Sequence, residues 1–136
     1  MPDRQEAENR IFFADDDESE ALKYVTHKFS IEGQDCYLTP GFDSHGAVRE
    51  INIVLARTGS FVSGLAGAVA VMMTTALQHD VPLQVLVDKI QGMRFEPAGR
   101  TSNPDIPIAR SVMDYIGRWL ELKFLISSLE QGDDRA

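Results

Sequence analysis

The residues best suited to chemistry lie in one aperiodic run, residues 92 to 106, just ahead of a strongly apolar helix-forming segment. It carries Arg94, Glu96, Arg100, Thr101, Ser102, Asn103 and Asp105. A long loop in a compact domain is usually functional or pinned by its own side chains. Two guanidinium groups in such a loop can form forked hydrogen bonds to a carboxylate or phosphate. The competing reading has the same side chains bonding the loop's own backbone and capping the following helix. A second candidate is the passage A-R-T-G-S-F-V-S-G-L-A-G, residues 56 to 67, where Gly59 and Ser60 open a helix whose free amides can hold an anion. It lacks the lysine of a phosphate loop and the spacing of a dinucleotide fingerprint, and close helix packing explains its glycines as well.

Other chemistries are set aside by residue type. His27, His45 and His79 are far apart, and Cys36 is the only cysteine, so neither a zinc cluster nor a disulfide within one chain is expected. No metal and no cofactor are expected. No G-x-S-x-G nucleophile elbow occurs. Residues 1 to 20 hold eight acids against Arg4 and Arg10, and residues 130 to 136 hold three acids against Arg135. Removing those from the 21 acids and 13 bases of the chain leaves ten of each, so the net charge of −8 belongs to the two ends. A neutral body has no basic stripe to displace counterions from a phosphate backbone, and no nucleic-acid partner is expected. The polar, acidic start has no secretory signal, and a cytoplasmic setting is expected. Residues 61 to 77 are uncharged but short for a bilayer, with glycines and hydroxyls, and read as a buried core helix rather than a membrane span.

The elements that must position the loop follow from periodicity. Residues 1 to 20 read as an acidic mobile arm with Ile11, Phe12 and Phe13 as one apolar hook, residues 21 to 129 as a single domain, and residues 130 to 136 as an acidic tail. Residues 22 to 31, 36 to 42 and 49 to 57 alternate as strands separated by the turns E-G-Q-D and D-S-H-G. Val25, His27, Phe29 and Ile31 share one face of the first. Helices follow at about 60 to 78, then from Asp80 as N-cap with Pro82 in the first turn to Gly92, then from Asp105 as N-cap with Pro107 in the first turn. In the third, Ile108, Val112, Tyr115, Trp119, Leu122, Ile126 and Leu129 recur at spacings of four and three, and Arg110, Asp114 and Arg118 read as a solvated face. The fold class is α+β: a small antiparallel three-stranded sheet followed by three helices packed on one face.

Three stretches together carry a resemblance: V-T-H-K-F-S-I-E-G, then residues 36 to 65, then residues 81 to 125 ending in F-E-P-A-G-R-T-S-N-P-D-I-P-I-A-R-S-V-M-D-Y-I-G-R-W-L-E-L-K-F-L. They resemble the TSCPD domain, the C-terminal module of adenosylcobalamin-dependent (class II) ribonucleotide reductases, over most of the chain. The motif that names the module stands here as Thr101, Ser102, Asn103, Pro104 and Asp105. Asparagine in place of cysteine removes a thiol from that point. The resemblance does not carry the reaction with it: ribonucleotide reduction in that family uses a radical cysteine and a redox pair, and one cysteine cannot fill three roles. What it implies is an accessory module, as a stand-alone chain, that docks on or regulates a class II reductase and has no catalysis alone. The alternative is an independent homo-oligomer whose loop holds a nucleotide or small anion.

Overall fold

In the computed structural model the described residues are 11 to 13 and 21 to 126. The acidic arm, save the backbone of 11 to 13, and the acidic tail lie outside them. The chain divides into two compact units, residues 1 to 30 with 34 to 80, and residues 31 to 33 with 81 to 136.

The first unit is built on β4 (Gln34–Phe42), whose alternate residues Cys36, Leu38 and Pro40 point into the core. On one side β4 pairs with β5 (Val48–Leu55), antiparallel from Cys36 opposite Leu55 to Gly41 opposite Glu50, with a register slip at Phe42. On the other side lie β2 (Lys23–Val25) and β3 (His27–Ile31), two segments of one run interrupted at Thr26. β1 (Ile11–Phe13) adds a short outer lane, with Phe12 opposite Tyr24. The three lanes expected from the alternation are present, and the backbone of the apolar hook supplies a fourth.

Helix α1 (Ser60–Gln78) covers the outer edge of β5. Ala66, Ala70, Met73 and Leu77 form its buried stripe, and the Thr74 hydroxyl accepts from Ile51 N at 2.9 Å and donates to Ile51 O at 3.1 Å. An edge strand whose free amide is capped by a helix cannot recruit a foreign strand there. The expected buried core helix is nevertheless only partly so. Its length and mean hydropathy of 1.7 are those of a membrane-crossing helix, with 22% of that stretch buried. Gly64 and Gly67 face open space rather than a close-packed neighbour, so packing within this unit does not account for them.

In the second unit, α2 (Leu83–Ile90) packs on α3 (Val112–Leu120), which continues as a π-helical turn, Glu121–Ile126. Gly117 makes the approach possible, since a Cβ there would stand 2.8 Å from Gln91 Cγ and 3.0 Å from Ile90 Cγ1. A small ladder completes the unit. β6 (Gly99–Arg100) pairs with β7 (Ile108–Ala109), Ile31 bridges to Thr101, and Glu32 N donates to Arg100 O at 2.8 Å. Gly99 has φ +137°, and a Cβ on it would run into the Glu32 carboxylate. Gly99→Ala should therefore destabilise the unit by about 2 kcal/mol, combining a strained backbone with a displaced side chain. A denaturant titration reads this directly.

Two helix starts differ from the sequence reading. Asp80 is not an N-cap: it sits at φ +66° just past α1, with its carboxylate 3.5 Å from Arg49, and the extended Pro82 precedes α2. The third helix begins at Val112 rather than after Asp105, with Ser111 as N-cap. Turn chemistry overrides the Asp-x-Pro signal, because Asn103 Oδ1 takes the Asp105 amide at 2.9 Å and Ile108 and Ala109 are drawn into β7. The long heptad seam is correspondingly shorter. Val112, Tyr115 and Trp119 are buried, but Ile108 is an exposed strand residue and the π turn leaves Leu122 exposed.

Candidate functional site

The segment from Gln91 to Ser111 is held from below by the first turn of α3. Ser111 Oγ donates to Met93 O at 2.6 Å and accepts from Asp114 N at 3.0 Å. The Asp114 carboxylate accepts from Gly92 N at 2.8 Å and from Arg110 N at 2.9 Å, so one side chain clamps both ends of the loop. Arg118 Nη1 stands 3.5 Å from that carboxylate and donates to Ile108 O at 2.6 Å. Burial alone would raise the pKa of Asp114, but the Arg110 and Gly92 amides and the Arg118 guanidinium outweigh it and hold it below the usual aspartate value. Farther along, Asn103 Nδ2 donates to the hydroxyl of the fully buried Tyr115 at 3.0 Å.

Most polar candidates face inward on this scaffold. The Thr101 hydroxyl donates to Ile106 O and accepts from Asn103 N, and Asn103 closes its turn onto Asp105 N. Arg100 works through its backbone, which joins the ladder and takes the Glu32 carboxylate on its amide at 2.9 Å. The Arg100 side chain, Ser102 and Asp105 are exposed. Arg94 and Glu96 line an open groove of about 500 Å³ with Phe95, Ala98, Ile108 and Arg110. Gly59 and Ser60 belong to the first unit, where Gly59 caps α1 without a side-chain bond.

A larger cavity of about 670 Å³ lies over the clamp, lined by Gln91, Asp105, Arg110, Asp114, Arg118 and Glu121 among others. Three carboxylates against two guanidiniums leave it without the positive excess an anion needs. Sequence reasoning missed its central residues: Asp114 was placed on a solvated face and is 4% exposed. The signal was present, since Ser111-x-x-Asp114 before an apolar run has the spacing of a capping box. Among the described residues no three side chains converge as metal ligands. Cys36 is buried, and burial first, then the nearby Asp35 charge, pushes its thiol up to about 11.

An α+β chain with an aspartate-clamped loop before an apolar helix is thus defined. The chain belongs to the TSCPD domain family, whose model matches residues 10–124. It is 46% identical over 101 residues to a vitamin B12-dependent ribonucleotide reductase of Rhodopirellula baltica, covering 74% of this chain and 10% of that protein. Proteins of the same name from Streptomyces avermitilis and Streptantibioticus cattleyicolor are each 37% identical over 101 residues, covering 74% of this chain and 10% and 17% of theirs. The chain thus spans about a tenth to a sixth of the length of these relatives. No solved structure matches. The chain is a ribonucleotide-reductase-related module.

Proposed function

We propose that the chain is a non-catalytic accessory module that docks on, or regulates, a vitamin B12-dependent ribonucleotide reductase through the loop of its second unit. The observation that carries this reading is the exposed rim of the clamped loop, where Phe95 and Ile108 stand beside Arg94 and Arg110 on a groove pre-formed by internal hydrogen bonds. Apolar and arginine side chains on a rigid support are the composition of a protein-binding hot spot. The chemistry of Cys36 supports a role without thiol–disulfide exchange, because a buried thiol raised to about 11 offers little thiolate at neutral pH. A cytoplasmic setting, alongside such a reductase, is part of this reading.

The test is a calorimetric titration of the chain against a purified vitamin B12-dependent ribonucleotide reductase, with nucleoside triphosphates and adenosylcobalamin as separate ligands. Saturable binding to the reductase alone is expected, weakened by about 1.5–3 kcal/mol in each of Arg94→Ala and Arg110→Ala through loss of a charge-assisted bond. Unchanged melting curves for both variants will place the effect on binding. Equal affinity of all three proteins, or tighter binding to a nucleotide than to the reductase, overturns the reading.

A further inference from the structure

Helix α1 has a second apolar face that none of the described residues covers. Phe61 is 77% exposed, Leu65 54% and Met72 70%, and Val62, Val69 and Val71 are exposed beside them. At 100° per residue this face lies about a third of a turn from the stripe that packs on β5. Its line, Phe61, Leu65, Ala68, Met72 and Thr75, repeats at spacings of four and three, which is the pattern of a helix-pairing seam. Phe61, Leu65, Val69 and Met72, which lie within a quarter turn of one another, expose on the order of 450 Å², in the range of the largest patch seen on monomers and more than half of the roughly 800 Å² per partner of a stable interface.

We propose that this face pairs antiparallel with the same face of a second copy of the chain across a two-fold axis at Ala68. Charge placement selects that occupant. No charged residue occurs between Arg57 and Asp80, so two copies meet here without the repulsion that a net charge of −8 would otherwise bring. Antiparallel pairing centred on Ala68 sets Leu65 beside Met72 of the other copy and Phe61 beside Thr75. The same register brings the exposed Arg57 before one helix to the Asp80 after the other, twice over. Asp80 is 86% exposed and touches Arg49 only at 3.5 Å, so it is open to a second partner. A two-fold interface must be self-complementary, and this sequence is so about its own midpoint. The small Ala68 at the crossing and the open Gly64 nearby let the helices approach closely, and antiparallel helix dipoles attract. This pairing does not rest on the docking reading, which uses the other unit.

Sedimentation equilibrium of the whole chain at several concentrations is the test. A dimer is expected, with Leu65→Arg raising its dissociation constant by roughly 30-fold or more, as for a central hot-spot residue. Melting curves of the variant check that it remains folded. Arg57→Asp should weaken the dimer severalfold, and the double exchange Arg57→Asp with Asp80→Arg should restore it, which a parallel pairing would not show. A chain that stays monomeric, a dimer indifferent to Leu65→Arg, or co-flotation with phosphatidylcholine–phosphatidylglycerol vesicles in place of dimerisation overturns the proposal. Leu65→Arg in the reductase titration keeps the two readings separable, because loop-mediated docking should survive it.

Discussion

Tyr115→Ala should lower the unfolding free energy by about 4 kcal/mol, within the usual range for emptying a buried aromatic site. Tyr115 has no exposed surface and sits in the first turns of α3 among Ile106, Ile116 and the rest of the second unit's core. Its hydroxyl receives Asn103 Nδ2, so the ring is a core residue at one end and a loop anchor at the other. The two roles separate experimentally. Tyr115→Phe keeps the ring and should cost about 1 kcal/mol, the net value of one hydrogen bond plus the amide left without it. A double-mutant cycle of Tyr115→Phe with Asn103→Ala should return a coupling of similar size, near 1 kcal/mol. Urea unfolding followed by Trp119 fluorescence gives all four values. A cost below about 1.5 kcal/mol for the alanine variant would mean that the second unit's core repacks around the hole.

What the sequence made legible was whatever follows from periodicity. Leu38, Ile51 and Ile53 announce the inward face of the sheet by alternation alone, and the uncharged run after Gly59 announces α1 to within a residue. The loop ends were misread where two local signals competed. Asp105 followed by Pro107 has the form of a helix start, but the Asn103 side chain had already captured the Asp105 amide, and a two-residue ladder took Ile108 and Ala109. Asp114 was misread for a different reason. At spacing four from Arg110 and Arg118 it looks like one member of a surface charge row, and only the amide of Gly92, 22 residues away in the chain, shows what the carboxylate is for. The exposed face of α1 was illegible because apolar composition states how much surface wants covering, not whether the same chain supplies the cover. Of the candidate site, the residue types were legible and their direction was not: Thr101 and Asn103 turn inward to hold the loop, while Arg94 and Glu96 line its groove.

Asp114→Asn should destabilise the chain by about 3 kcal/mol at neutral pH, because it replaces a buried acceptor-only group by an amide. Gly92 N and Arg110 N both point at the carboxylate, one at each oxygen. The amide can satisfy one of them through its carbonyl and must turn its own N–H bonds toward the other. Arg118 contributes less to this figure, since its head is partly in water and 3.5 Å away. The pH dependence follows from the direction of the shift. A carboxylate whose native pKa is held below its unfolded value, about 3.9, binds fewer protons folded than unfolded. Its stabilisation is complete above about pH 5 and is lost as pH falls through 4 toward the lowered native value, so wild type and Asp114→Asn should converge in acid. The chain's other acids shift both proteins equally, and the difference between the two curves isolates this one group. A gap that stays constant from pH 7 to pH 3 would show that Asp114 holds the loop by shape rather than by charge. A gap that closes would identify the carboxylate as the lock on both ends of the loop, and melting that lock should then release Arg94 and weaken docking in the same pH range.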